Sequence, residues 1–109
     1  MIKQEQMIVV SQHKIATNIF VVTLKGQLVQ EMKQPGQFVH VRVAHQMEPL
    51  LRRPISICSI NREASEFTMI YRAEGRGTIL LSEKRPGDYI DILGPLGQGF
   101  PIEKVSSGD

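Results

Sequence analysis

An arginine and a serine flank a Pro-Ile pair within the stretch Leu51–Ile57, and this combination suits the binding of a phosphorylated ligand. If a strand begins at Pro54, the proline leaves one edge amide of the sheet unused, and Arg53 stands at the mouth of that strand. There its guanidinium can pair with a phosphate through two parallel N–H bonds, while Ser56 offers a donor and an acceptor to a planar ligand. The spacing alone favours another interpretation, in which Arg52 and Arg53 are a solvated loop pair and Ser56 is an edge-strand hydroxyl.

A second candidate site is the stretch Ile70–Thr78, which runs from a strand through a glycine-containing loop into a helix. The start of a helix offers unpaired amides and positive potential, and both attract anions. Gly77 lets the backbone approach a pyrophosphate closely, and Thr78 adds a hydroxyl. The stretch lacks the Walker A spacing and the third glycine of a dinucleotide fingerprint, so a turn capped by Thr78 explains it equally well. Tyr71 is either a core-edge aromatic or a ring that stacks beside a flat ligand.

The other residues that could carry chemistry form no recognisable site. Cys58 is the single cysteine, so the sequence cannot form an intrachain disulfide or a four-cysteine zinc or iron–sulfur site. The segment Gly94–Pro101 contains a Gly-x-x-Gly-x-Gly pattern, but no helix follows it, and we interpret it as a turn that leads out of the domain. The histidines His13, His40 and His45 lack the spacing of metal ligands. We therefore predict no metal site and no catalytic residue.

Short β-branched runs between turn residues make up most of the chain and predict six strands. In the third of them the valines alternate with His40 and Arg42, which is typical of a half-buried strand. In the fourth predicted strand, Ile55, Ile57 and Ser59 lie on one face, and Ser56, Cys58 and Ile60 lie on the other. The predicted strands are Met7–Val10, Ile19–Leu24, Phe38–Val43, Pro54–Ile60, Phe67–Arg72 and Tyr89–Leu93.

One helix is predicted, over Thr78–Arg85, and Pro86 ends it. Thr78 can accept a hydrogen bond from a first-turn amide, and Lys84 and Arg85 lie at the negative end of the helix dipole. A single helix among six short strands indicates a small antiparallel barrel rather than a parallel sheet. We expect an all-β fold in residues 1–101, with this helix between strands five and six, and a tail or the start of a linker over 102–109.

The composition is that of an ordinary globular domain, with 41% hydrophobic and 22% charged residues among 109. Lys and Arg total 13 and Asp and Glu total 11, and the net charge of +2 is too small to indicate a nucleic-acid partner. The polar start Met1–Gln6 and the lack of any apolar run of about 18 residues disfavour export and membrane spanning. A single cysteine makes a reducing, cytoplasmic setting the expected one.

Four stretches together resemble, in order and spacing, the flavin-binding domain of the ferredoxin reductase superfamily. These are Arg53–Ser56, Ile70–Arg72, Gly75–Thr78 and Gly94–Phe100. The amino-acid sequences of Leu51–Ile57 and Gly94–Pro101 more specifically resemble those of the electron transfer subunits of dihydroorotate dehydrogenases. The resemblance implies a six-stranded antiparallel Greek-key barrel that holds FAD in an extended conformation.

The resemblance also implies which residues would hold the cofactor. Arg53 would bind the FAD phosphates or the ribityl region, Pro54 and Ile55 would shape the strand beside the flavin, and Ser56 would bond near the reactive flavin nitrogen. Ile70, Tyr71 and Arg72 would contact the flavin and nucleotide portions, and Gly77 and Thr78 would offer helix-start amides to the pyrophosphate.

In such subunits FAD is implied to relay electrons between NAD(H), a 2Fe–2S cluster and the FMN of a catalytic dihydroorotate dehydrogenase subunit, in support of pyrimidine biosynthesis. The nucleotide-binding domain and the cysteines of the cluster are missing from this sequence, and Cys58 alone cannot hold a cluster. We therefore expect an excised amino-terminal oxidoreductase module that binds FAD and is inactive alone. The alternatives are the flavin domain of another ferredoxin-reductase-like subunit, or a small barrel that binds single-stranded nucleic acid or a protein.

Overall fold

The computed structural model describes residues 3–42 and 53–97 of the chain. In these residues six antiparallel strands close into a barrel in the order β1-β2-β5-β4-β3-β6. The elements are β1 (Lys3–Ala16), β2 (Ile19–Lys25), a 3-10 helix (Gln27–Glu31), β3 (Phe38–Arg42), β4 (Arg53–Asn61), β5 (Glu66–Arg72), the helix α1 (Arg76–Ser82) and β6 (Tyr89–Leu96). Strands β3 to β5 follow one another while β2 lies beside β5, which is a Greek key. The predicted all-β Greek-key barrel with one short helix between strands five and six is confirmed.

The first strand closes the barrel because it pairs on both of its edges. Its first half, Lys3–Ile8, pairs with β6, and its second half pairs with β2 as far as Ala16. The register between β1 and β2 shifts between Val9 and Ser11, a β-bulge that bends the strand from one neighbour to the other. The predicted strand Met7–Val10 is therefore only the apolar centre of a much longer one.

Alternation along the strands fills the inside of the barrel with apolar side chains. All six strands, the 3-10 helix and α1 contribute to one buried cluster. Its largest fully buried members are Phe67, Met7, Leu24, Met32, Ile57 and Met69. Leu81 joins this cluster from α1, so the helix is attached to the barrel by its apolar face.

Three predicted details are wrong. The predicted exit turn Gly94–Pro101 starts too early, because Gly94–Leu96 belong to β6, which extends past Leu93. In β4 the register with β5 shifts between Ile57 and Ser59, and this bulge exposes Ser59 while Ile60 packs against the core. The helix begins at Arg76 and ends at Ser82, so Lys84 and Arg85 follow it rather than forming its last turn.

Several sequence interpretations lie outside the described residues. They are the last predicted strand residue Val43, His45, Arg52, the end of the exit turn from Gln98 onward and the tail over 102–109.

Candidate functional site

The stretches predicted to bind a ligand meet at one end of the barrel. Strands β4 and β5 are antiparallel neighbours, so the start of β4 at Arg53 and the end of β5 at Arg72 lie at the same end. The helix α1 follows β5 closely and begins at Arg76. The topology thus brings together three stretches that are separate in the sequence.

The pairing between these two strands stops before it reaches this end. In the described part of the chain, the β4–β5 ladder runs from Asn61 opposite Glu66 and stops where Ile57 faces Met69. Beyond that point β4 pairs with β3 through Pro54–Ser56, and β5 pairs with β2 through Ile70–Arg72. The two facing edges are not paired with each other there, and an unpaired strand edge offers N–H and C=O groups to a ligand. This split is the central feature of the candidate site.

The outer surface beside the split carries one apolar and one hydroxyl side chain. Ser56 is exposed, and Ile70 is 45% exposed, which is unusual for an isoleucine within a strand. Ser56 and Ile70 each lie one residue beyond the last paired position, Ile57 with Met69, and both side chains are on the outer face. Ile55 points the other way and is buried, while Pro54 is exposed. A hydroxyl next to an apolar surface suits the edge and the face of a flat ring.

Arg53 lies at the first position of β4, opposite Val41 of β3. Its backbone therefore stands at the start of the strand, as the sequence predicts, and at the mouth of the split. The position of its side chain lies outside the described part of the structure.

Tyr71 points into the barrel and is only 6% exposed. Its ring stacks on that of Phe20, with 5.8 Å between the ring centroids and 18° between the planes. Its hydroxyl donates a hydrogen bond to the side-chain oxygen of Gln12. Burial raises the pKa of this hydroxyl above its ordinary value. The ring is thus a core-edge aromatic, and it is the Tyr71 backbone that lies along the split.

Arg72 ends β5 with its side chain in solvent. It forms an ion pair with Glu74, with 3.3 Å between Nη1 and Oε2, and more than half of each side chain is exposed. A pair so exposed contributes little to stability, so the guanidinium can leave it for an anionic ligand at small cost.

The loop before α1 is held by the Thr78 side chain. The Thr78 hydroxyl accepts the Gly75 N–H at 3.0 Å and lies 3.0 Å from the Gly75 carbonyl oxygen, to which it donates. Thr78 is therefore the third residue of a helix that begins two residues earlier than predicted, and its hydroxyl accepts the N–H of Gly75, which precedes the helix, instead of a first-turn amide. The Ile79 N–H makes the first helical bond, to Gly75 O at 2.9 Å, so the amides of Gly77 and Thr78 precede it. Those two amides have no carbonyl within the helix to bind.

Sequence reasoning missed two neighbours of the site on β3. Phe38 is the register partner of Ser56, and His40 is that of Pro54. Their rings stack with 5.9 Å between the centroids. Alternation does place His40 on the outward face, but no local signal says that this face adjoins β4.

A groove of about 580 Å³ lies at the other end of the barrel. It is lined by polar residues at the start of β1 and in the 3-10 helix, among them Lys3, Glu5 and Glu31. The ends of β1 and β5 and the start of β2 lie together near the split, so the groove is separate from the candidate site.

No helix in residues 3–42 and 53–97 is long and apolar enough to cross a membrane. Within the same residues, no group of three or more His, Cys, Asp or Glu side chains could hold a metal ion.

The structure thus combines a closed six-stranded Greek-key barrel with a split strand edge and, beside it, a short helix that begins after Gly75. The family model of the oxidoreductase FAD-binding domain matches residues 6–100, and the chain belongs to this family. The residues present fit the cofactor for which the family is named: the split offers backbone groups, Ser56 and Ile70 suit a ring, and the amides of Gly77 and Thr78, which precede the first helical bond, suit a phosphate.

The chain is also similar to particular proteins. The dihydroorotate dehydrogenase B (NAD(+)), electron transfer subunit of Lysinibacillus sphaericus (strain C3-41) is 61% identical over 108 residues, which are 99% of this chain and 42% of that protein. The subunit of the same name from Geobacillus sp. (strain WCH70) is 60% identical over the same shares. The solved structure of an NADH-dependent reduced ferredoxin-NADP oxidoreductase has a TM-score of 0.76 and 32% identity, over 87% of this chain and 34% of that one.

Both levels of the sequence resemblance are confirmed, to the ferredoxin reductase flavin domains and to the dihydroorotate dehydrogenase electron transfer subunits. The chain spans less than half the length of the curated relatives that it matches.

Proposed function

We propose that this chain is the FAD-binding module of an electron transfer subunit of an NAD-linked dihydroorotate dehydrogenase. The observation that carries the proposal is the split between β4 and β5, which lies beside the amides of Gly77 and Thr78 at one end of a family-typical barrel. The high identity to the curated electron transfer subunits supports the assignment to dihydroorotate dehydrogenase.

The proposed cofactor contacts follow the geometry of the split. Ser56 bonds the edge of the flavin ring, Ile70 packs against its face, and Pro54 and Ile55 fix the course of β4. Arg53 and Arg72 supply positive charge to the phosphates at the mouth of the split. The Tyr71 backbone and the amides of Gly77 and Thr78 bind the chain of the cofactor between ring and adenine.

Bound FAD supplies an exchange of two electrons with a nicotinamide and of single electrons with a metal cluster. The protein binds the cofactor in one extended orientation and shields one face of the ring from water. Ile70 and Ser56, beside the ring, carry no charge. The electrostatic attraction to the cofactor therefore comes from the arginines near the phosphates.

The longer relatives suggest the setting of this module. We propose that residues 1–101 form the flavin barrel and that 102–109 begin a connection to a nucleotide-binding domain that binds NAD(H) and carries a 2Fe–2S cluster. That protein would pass electrons to or from a catalytic FMN-containing subunit in pyrimidine biosynthesis, in the cytoplasm. This chain alone binds FAD and does not pass electrons from NADH to an acceptor at a useful rate, because Cys58 cannot hold a cluster by itself.

Titration of the 109-residue chain with FAD, followed by quenching of the flavin fluorescence, tests the proposal. We expect saturable binding that Arg53→Ala weakens about tenfold, since a hydrogen bond to a charged group is worth about 1.5–3 kcal/mol. Gly77→Val places a branched side chain next to the amides that precede the first helical bond and has an effect of similar size. Lys25→Ala is the matched control because it removes one positive charge where β2 ends, away from the split.

Two outcomes would contradict the proposal. One is the absence of saturable FAD binding by the folded chain and by a longer protein that contains it. The other is a loss of affinity in Lys25→Ala equal to that in Arg53→Ala, which would show that only general charge attracts the nucleotide. Salt-dependent binding of an oligonucleotide in place of FAD would favour the alternative of a nucleic-acid barrel.

A further inference from the structure

One side-chain amide joins three separate points near the candidate site. The Gln12 Nε2 donates to the carbonyl oxygens of Leu81 at 3.0 Å and Lys84 at 2.9 Å. The Gln12 Oε1 accepts the hydrogen bond from the Tyr71 hydroxyl. Both amide hydrogens and the oxygen are therefore used, and all three partners belong to the segment 71–84.

Gln12 reaches these partners because of its place in the barrel. Its register partner on β2 is Val22, which is fully buried, so Gln12 lies on the inward face. The bulge between Val9 and Ser11 puts it there by shifting the alternation of β1. A polar group on an inward face must find partners, and here they are the end of β5 and the end of α1.

The same three bonds close a loop of the chain around the proposed cofactor contacts. Tyr71 lies at the start of segment 71–84, and Leu81 and Lys84 lie at its end. The glycine loop and Thr78 lie between these points. With both ends tied to one side chain on β1, the backbone between them is held at a fixed distance from the barrel.

We propose that Gln12 is a positioning residue for FAD, which it does not touch: it fixes segment 71–84 so that the backbone of Tyr71 and the amides of Gly77 and Thr78 face the cofactor together. This inference rests on the proposed function. Loss of the two hydrogen bonds that Gln12 donates frees the end of α1 from β1, while the barrel remains closed by its strand ladders.

The substitution Gln12→Glu separates the two hydrogen bonds that Gln12 donates from the one that it accepts. The carboxylate keeps an acceptor for the Tyr71 hydroxyl, but it loses both donors and faces two carbonyl oxygens. We expect the dissociation constant for FAD to rise about tenfold, since two hydrogen bonds of ordinary strength are lost. In the chain without FAD, hydrogen exchange should become faster at the amides of residues 75–84 and stay unchanged at those of β3 and β6.

Gln30→Glu is the matched control. The Gln30 Nε2 also donates to a backbone carbonyl, that of Arg62 at 3.0 Å, but it does so from the 3-10 helix. This exchange should leave the FAD affinity and the hydrogen exchange of residues 75–84 as in the unaltered chain. Tyr71→Phe keeps both donor bonds of Gln12 and should have a smaller effect on FAD affinity than Gln12→Glu.

The outcomes separate this inference from the proposed function. If the unaltered chain does not bind FAD, the proposed function fails, while hydrogen exchange still shows whether Gln12 fixes the segment. If the chain binds FAD and folded Gln12→Glu binds it equally well, Gln12 has no positioning role. Should Gln12→Glu not fold, Gln12→Met, which is close in size and uncharged, replaces it under the same criteria.

Discussion

The carboxylate of Glu5 accepts the backbone N–H of Leu28 at 2.7 Å, and its other oxygen accepts that of Gln27 at 3.1 Å. A side chain near the start of β1 thus caps the first turn of the 3-10 helix, which has no cap of its own at Gly26. Bonds from backbone amides to a carboxylate are among the stronger hydrogen bonds in proteins. The contact attaches the connection between β2 and β3 to the closing strand of the barrel.

Glu5→Ala should lower the free energy of unfolding by about 1–2 kcal/mol, the usual loss when a helix loses its cap. Lys3→Ala is the comparison, because Lys3 pairs with Glu31 at 3.1 Å in a partly exposed ion pair and should cost less than about 0.5 kcal/mol. Urea denaturation of both variants measures the difference. Equal losses in the two would show that Glu5 contributes only a surface charge.

The sequence could predict the strands but not this contact. Alternation in Phe38–Arg42 and the β-branched run Ile19–Leu24 are local signals, and the structure confirms both strands. The 3-10 helix is too short for a periodic pattern, and its cap comes from a residue 23 positions away. The bulges in β1 and β4 also gave no sequence signal, since they contain no glycine. These bulges determine on which face of the sheet Gln12 and Ser59 lie.

For the candidate site, the sequence could predict the residues but not their arrangement. Arg53, Ser56 and the glycine loop carry local patterns, and the topology brings them to one barrel end. The split between β4 and β5 depends on where the pairing of these two strands ends, and no single stretch of the sequence encodes that point. The position of Thr78 within the helix depends on the helix start, and a difference of two residues changes its hydrogen bonds.

Leu81→Ala should destabilise the fold by about 2–5 kcal/mol, because it leaves a cavity where α1 packs on the barrel. Leu81 is 1% exposed, whereas Ile79 on the same helix is 44% exposed. Ile79→Ala should therefore change the free energy of unfolding by no more than about 0.5 kcal/mol. Thermal or urea unfolding of the two variants checks this, and a large loss from Ile79→Ala would mean that the helix packs through its other face.

The stability that Tyr71 provides should fade at alkaline pH. Burial raises the pKa of its hydroxyl in the folded state above the ordinary value of about 10. Below pH 10 both states keep the proton, so the contribution is complete. Above it the unfolded chain releases the proton first, and the free energy of unfolding falls by up to about 1.4 kcal/mol per pH unit.

Tyr71→Phe tests this pH dependence because phenylalanine has no proton to release. At pH 8 the variant should be less stable by about 1 kcal/mol, owing to the lost hydrogen bond to Gln12. Urea unfolding between pH 8 and pH 11 should show the difference between the two proteins shrinking as pH rises. A difference that stays constant over this range would contradict the assignment of a raised pKa to Tyr71.

Gly97→Ala and Gly87→Ala should separate backbone strain from steric contact. Both glycines have positive φ, +77° and +97°, so an alanine at either is strained by about 1–2 kcal/mol. A β-carbon at Gly97 would also lie 3.1 Å from the Phe38 ring, whereas one at Gly87 would meet nothing within 4 Å. Gly97→Ala should therefore cost about 1–3 kcal/mol more in urea unfolding.

Since Phe38 is the register partner of Ser56, its displaced ring should also weaken FAD binding, which Gly87→Ala should leave unchanged. Equal costs in the two variants would show that the Phe38 ring moves aside freely and does not support the site.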